Sequence, residues 1–286
     1  MSGGPETMLI IGERINTSRK GLDDAVAKRD EAFFRELARK QFAAGANYLD
    51  VNCGTRVNTE VDDIAWLARL AQDETGAPLS IDTPNPAAAE AALKVHAGDT
   101  KPIINSISGE KDRYEKMIGL VKEHQCGVIA LVLDDEGMPA NGAERFEKGQ
   151  RLMDRLLGDG VPVGNVYLDP LVQPIASSID PELSYGREVL WTLRRFKETW
   201  PEAHFSAGVS NVSHGLPKRK ILNQAFMVLC LEAGLDTAII DPNDGYLMQL
   251  ILAAEALIGK DPMSANYIGA AREGKIEYWV KPEPKE

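Results

Sequence analysis

The chain has 286 residues, 44% hydrophobic and 26% charged, which is ordinary for a globular protein and enough for one sizeable core. Its 32 basic and 43 acidic residues leave a net charge of −11, which argues against nucleic acid as a partner, because phosphate backbones attract cations. No signal peptide or membrane-length apolar run is evident, and Cys53, Cys126 and Cys230 fit a reducing cytoplasm while lacking the spacing of a zinc or iron–sulfur site, so no metal is expected.

Residues 1–7 are small and polar and read as a disordered extension or a remnant of cloning. Residues 8–280 read as a single domain, with residues 281–286 a frayed polar tail. Within the domain one unit recurs: a short apolar, often β-branched run ends in a polar residue, and an amphipathic helical stretch follows. The runs are 9–12, ending at Glu13; 48–51, holding Asp50 and ending at Asn52; 79–81, ending at Asp82; and 102–104, ending at Asn105. Then come 128–133, ending at Asp134; 166–168, ending at Asp169; 205–209, ending at Ser210 and Asn211; and 237–240, ending at Asp241.

The stretches between them have the helical period. Phe34, Leu37, Ala38 and Phe42 share a face, as do Tyr114, Met117, Ile118 and Val121, and Val189, Leu190, Leu193 and Phe196. Asn85-Pro86 and Asp180-Pro181 look like helix starts. Eight strand–helix units of similar length predict an α/β protein, a (β/α)₈ TIM barrel. An open doubly wound sheet usually carries a Gly-x-Gly-x-x-Gly loop after its first strand, and here that strand runs into Gly-Glu-Arg-Ile-Asn.

In such a barrel the active site lies where the strands end. The residues gathered there would be Glu13, Asp50, Asn52, Asp82, Asn105, Asp169, Asn211 and Asp241: carboxylates and carboxamides, with no basic cluster for phosphate. Asp accepts from paired N–H groups and Asn both donates and accepts, so the ligand is expected to be a neutral heterocycle rich in N–H, such as an aminopyrimidinone. Any one of these residues could instead cap a helix or hold a loop. Their common position carries the argument.

Ile-Ile-Gly-Glu-Arg-Ile-Asn (10–16) resembles the opening of the methyltetrahydrofolate:corrinoid protein methyltransferases. So do Leu-Asp-Val-Asn-Cys-Gly (49–54), Ile-Asp-Thr (81–83), Ile-Ile-Asn-Ser (103–106), Tyr-Leu-Asp-Pro-Leu (167–171), Gly-Val-Ser-Asn-Val-Ser (208–213) and Leu-Asn-Gln-Ala-Phe (222–226). The resemblance implies a dihydropteroate synthase-like barrel, usually homodimeric, with Asp82, Asn105 and Asp169 anchoring the pterin. It implies further pterin contacts from Gly208 and Ser210, and a role for Asn211 at the pterin N5. His214 stands where the family often has glutamine.

The implied reaction moves a methyl group between N5 of tetrahydrofolate and the cobalt of a corrinoid (cobalamin) carried by a separate protein. A tertiary amine leaves poorly unless it is protonated or strongly hydrogen-bonded, so methyltetrahydrofolate would need acid assistance at N5. Asn211 would supply a hydrogen bond that strengthens in the transition state, and Asp82 a nearby carboxylate for the proton. The corrinoid is expected on a partner protein, since no Asp-x-His-x-x-Gly motif is present. His96, His124 and His204 read as surface or packing residues, while His214 falls on the rim.

Two runs invite a functional reading: Lys218-Arg219-Lys220 for the glutamate tail of a folate, and Asp134-Asp135-Glu136 for a metal. Solvated faces are the commoner explanation for both. Dihydropteroate synthase would share the pterin anchors, but the first and seventh loops lack its pyrophosphate-binding residues. A folate-binding subunit without chemistry and the use of tetrahydromethanopterin are further alternatives.

Overall fold

The computed structural model describes residues 7–277. The expectation for residues 281–286 lies outside them, as does that for residues 1–7 apart from Thr7. Eight strands run in chain order around a closed parallel barrel: β1 (Leu9–Asn16), β2 (Tyr48–Asn52), β3 (Leu79–Asp82), β4 (Ile103–Ser108), β5 (Gly127–Leu131), β6 (Val166–Asp169), β7 (His204–Ala207) and β8 (Thr237–Ile240). Closure is made by β8 on β1, from Leu9 beside Thr237 to Gly12 beside Ile240. The protein is therefore a (β/α)₈ TIM barrel, as the repeating units predict.

The outer ring is α1 (Leu22–Ala27), α2 (Glu31–Ala43), α3 (Glu60–Thr75), α4 (Pro86–Val95), α5 (Lys111–Glu123), α6 (Gly142–Gly158), α7 (Tyr185–Thr199), α8 (Arg219–Glu232), α9 (Gly245–Leu257) and α10 (Ala265–Arg272). Side-chain caps start several of them: Asp30 accepts from the Phe33 N–H, Asn85 from Ala87 and Asn141 from Glu144. No helix among the described residues is long and apolar enough to cross a membrane.

Alternation along the strands sorts the core into two parts. Outward residues such as Ile10, Leu49, Ile81, Ile104, Val128 and Leu168 pack under the helices in the main cluster. Inward residues Ile11, Tyr48, Ile103, Ile129 and Tyr167 form a smaller apolar plug inside the barrel. Two residues further along β2, β4 and β6 the inward positions become Asp50, Asn105 and Asp169. The barrel is thus apolar towards its N-terminal end and polar towards the other.

Five local expectations need correction. The fifth run stops at Leu131, so Asp134 lies in a turn beyond the strand, and β7 stops at Ala207. The strand β4 starts at Ile103 and reaches Ser108. Asp180 makes a turn, accepting from the Glu182 N–H, and α7 starts at Tyr185 under a Ser184 cap. On α2 the buried positions are Phe34, Ala38 and Gln41, with Phe42 exposed. Gln41 is drawn inward because β1 offers it an unpaired donor, described next.

Candidate active site

The register of β1 against β2 shifts between Gly12 and Ile15, a bulge that takes the Arg14 N–H out of the ladder. The Gln41 Oε1 accepts that N–H at 2.8 Å. Gly12 is what permits the approach: a Cβ there would stand 2.7 Å from the same oxygen. The extra residues turn Glu13 and Arg14 onto the rim, where Glu13 pairs with Arg19 at 2.6 Å and Arg14 with Asp241 at 3.1 Å. Burial nevertheless raises the Glu13 pKa above the ordinary carboxylate range.

On the next three strands a hydrogen-bonded cluster forms. The Asp50 Oδ1 accepts from the Ser80 hydroxyl at 2.6 Å and from the Asn105 amide at 3.1 Å. Asp50 is almost wholly enclosed, so it supports Asn105 from below, and burial, then the charge of Asp82, pushes its pKa up. Asp82 ends β3 beside Asn105 on β4. Burial raises its pKa to about 6 against the opposing hydrogen bond from Asn52 and the positive charge of Arg113, with Glu60 adding to the rise. Glu60 itself accepts from the Thr83 hydroxyl and from the Asn85 amide, at 2.9 Å for the latter, which holds the loop after Asp82.

Asp169 sits on the opposite wall, at the end of β6, and is 5% exposed. One of its oxygens accepts from the Leu171 N–H at 2.8 Å, and Ser206 of β7 also bonds to it. These bonds favour the ionised form, but burial outweighs them and lifts its pKa to about 7. No ion pair reaches Asp50, Asp82 or Asp169 among the described residues; their bonding partners are hydroxyls, amides and backbone.

After β7 the chain makes a 3-10 turn, Val209–Ser213. Gly208 lies under the Asn211 amide, whose Nδ2 would be 3.2 Å from a Cβ at 208. Asn211 and His214 are exposed and Ser210 is half-buried. Ser210 and His214 line a cavity of about 420 Å³ with Glu13, Arg19, Arg219 and Asp241. The turn is held from α8: the Arg219 Nη2 donates to the Ser210 carbonyl at 2.8 Å and its Nε to the Ser213 hydroxyl at 3.0 Å.

All of the predicted site residues therefore lie at the C-terminal rim, in groups. Asp82 and Asn105 share the carboxylate cluster, Asp169 faces from β6, Gly208 and Asn211 form the seventh-loop turn, and Ser210 and His214 open onto the neighbouring cavity. Sequence reasoning overlooked Ser80, Gln41 and Ser206. A serine inside a strand gives no signal until its inward direction and its neighbour are known.

The two tempting runs are engaged structurally. Lys220 pairs with Asp244 at 3.3 Å, and Arg219 holds the seventh loop. Asp134 pairs with Lys148 and, at 2.7 Å, with Arg151, while Asp135 accepts from the Lys111 N–H at the start of α5. His204 stacks on Tyr167 with 4.8 Å between ring centroids, at the start of β7 and far from the rim.

The fold is a closed eight-stranded parallel barrel whose C-terminal rim gathers carboxylates and carboxamides. Residues 12–241 match the pterin binding enzyme family, and the chain belongs to that family. It is 31% identical over 272 residues to the methylcorrinoid:tetrahydrofolate methyltransferase of Eubacterium limosum, covering 94% of this chain and 98% of that one. Over 245 residues, 82% of its length, it is 34% identical to the methionine synthase of Mycobacterium tuberculosis, of which it spans 20%. Among solved structures, dihydropteroate synthase from Thermus thermophilus superposes with a TM-score of 0.62 at 24% identity over 88% of this chain and 95% of that one. The Xanthomonas albilineans dihydropteroate synthase gives 0.68 at 17% identity, over 88% and 93%. At these identities the structural likeness is one of fold.

Proposed function

We propose that this protein is a methyltransferase that moves a methyl group between N5 of tetrahydrofolate and the cobalt of a corrinoid carried by a separate protein. The observation that carries this is the set of buried rim carboxylates without ion-pair partners among the described residues. The similarity to the Eubacterium limosum enzyme supports it. Asp82, Asn105 and Asp169 present acceptors and a carboxamide to the aminopyrimidinone edge of the pterin, with Asp50 fixing the Asn105 amide. Residues 8–280 act in this reading as one domain.

Asn211 stands over Gly208 at the exposed edge, where a hydrogen bond to N5 would strengthen as charge changes there. Asp82, with its pKa near 6, can hold a proton close to neutral pH and release it. His214 replaces a carboxamide at the edge of the same loop and contacts the ligand from the cavity side. The partner's corrinoid supplies a cobalt that exchanges the methyl group. What this chain contributes is an open rim, with Asn211 and His214 exposed, where a second protein can approach.

The test mixes the purified protein with methyltetrahydrofolate and Co(I) cobalamin, follows methylcobalamin formation by its spectrum, and then runs the reverse reaction. Transfer in either direction is expected. Pterin binding too weak to detect would overturn the reading.

We also infer a homodimer. On α8 the exposed residues Ile221, Ala225 and Leu229, and on α9 Tyr246, Leu250 and Leu257, recur at helical spacing and make an apolar stripe on each of two adjacent helices. Leu257 is 84% exposed and Ile221 67%. Sedimentation of Leu229→Asp should show a monomer where the native chain shows a dimer.

A further inference from the structure

Arg145 on α6 is fully buried, at 0% exposure. Among the described residues it has no carboxylate at ion-pairing distance: burial lowers its pKa, Glu188, Tyr185 and Glu144 oppose that only through charge at longer range, and the Tyr185 ring centroid lies 5.8 Å from the guanidinium carbon. Its Nε donates to the Pro170 carbonyl at 3.1 Å and its Nη2 to the Gln173 Oε1, while its Nη1 is buried without an acceptor among the described residues. Both bonds go to the loop after β6. That loop begins at Asp169 and passes through Leu171, which has a φ of 59°, the left-handed region that a leucine adopts only when its surroundings hold it there. Asp169 binds the Leu171 N–H from the inner side. The turn is therefore gripped at 170 and 173 by the arginine and at 171 by the carboxylate.

A buried, unpaired guanidinium is a poor device for stability, since an apolar residue of similar size in such a place is often neutral or stabilising. What an apolar residue cannot do is bond to a carbonyl and an amide at the two ends of a turn. We propose that Arg145 is a positioning residue for the pterin site, setting the Asp169 carboxylate by fixing the loop that supplies its hydrogen-bond donor. This rests on the reading of Asp169 as a pterin anchor. If the grip is lost, the Leu171 N–H moves away, and Asp169 loses both its orientation and a bond that favours its ionised form. The other groups facing Asp169 are the Ser206 hydroxyl and the Cys230 thiol, and neither changes in the substitutions used below.

The test measures tetrahydrofolate affinity as a function of pH, together with thermal stability, for Arg145→Met, Arg145→Lys, Gln173→Ala and Asp169→Asn. Arg145→Met should melt at or above the native temperature and bind at least tenfold more weakly. The pH below which its binding weakens should move upward. Arg145→Lys should recover part of the affinity. Gln173→Ala, which leaves no altered charge in the core, should weaken binding about threefold and move the pH profile in the same direction. Native affinity and pH profile in both Arg145→Met and Gln173→Ala, with binding lost in Asp169→Asn, would overturn the positioning role alone. Should Arg145→Met not fold, Gln173→Ala decides by the same criterion. Native binding by Asp169→Asn would remove the anchor reading and this inference with it.

Discussion

Two acidic groups in this molecule lie within one strand of each other and behave in opposite ways. In the turn after β5, Asp134 and Glu136 meet Lys148 and Arg151, and those cations hold the Asp134 pKa below the ordinary carboxylate range. At the ends of β2, β3 and β6, Asp50, Asp82 and Asp169 meet hydroxyls, amides and backbone N–H groups, and burial holds their pKa values above it. The first group has its charge answered within the fold. The second has no ion pair among the described residues, with only the more distant charge of Arg113 acting on Asp82, a costly arrangement that becomes favourable when a ligand brings donors.

The substitution that sharpens this contrast most is Asp169→Ala. It should weaken tetrahydrofolate binding by more than about hundredfold, because a buried charged acceptor is lost from the pterin edge. Titration calorimetry checks the binding, and denaturant unfolding should show native or raised stability. Next is Asn211→Ala. It should slow methyl transfer by roughly hundredfold with little change in affinity, and stopped-flow rates at saturating folate measure it. Equal losses in rate and binding would undo the assignment at N5.

In the other acidic group the effect should fall on stability alone. Asp134→Ala leaves the Lys148 ammonium, whose side chain is 1% exposed, with only Glu136 and Glu144 at 3.4 and 3.8 Å. Because those two carboxylates remain, a loss of about 2 kcal/mol in unfolding free energy is expected, with pterin affinity unchanged. A change in affinity would break the division between the two groups.

The smallest effect is the pH dependence, which has opposite signs in the two places. Asp169 and Asp82 have folded pKa values raised to about 7 and about 6. Their contribution to the stability of the free protein is complete below the ordinary carboxylate range. It is lost as pH rises through those values. Asp134 is lowered, so its contribution is present at neutral pH and is lost as the solution is acidified through its folded pKa. With Asp169 as the proposed acceptor for the pterin donors, affinity should fall by about tenfold per pH unit below 7, as calorimetry at a series of pH values would show.

Much of the barrel was legible because its signals are local. Each strand is a short β-branched run, and each helix has its own period and often its own cap, as at Asn85-Pro86. The rim residues Asp82, Asn105, Asp169 and Asn211 were legible for a related reason, since every strand end in this fold faces one mouth. Asp180-Pro181 misled because it carries the local signature of a helix start while forming a turn, and Ser184 supplies the cap four residues later. Phe42 misled in another way. Periodicity places it on the inner face of α2, but the Arg14 N–H freed by the β1 bulge draws Gln41 inward instead.

By itself the sequence determined the number and order of the units, the closed α/β class and the chemical character of the rim, because these depend on residues near one another in the chain. Only the tertiary structure decided which carboxylates are answered and which are not. The partners in question, Lys148 for Asp134, Ser80 and Asn105 for Asp50, and Arg145 for the loop beyond Asp169, lie from 14 to 55 positions away, at distances that no local pattern encodes.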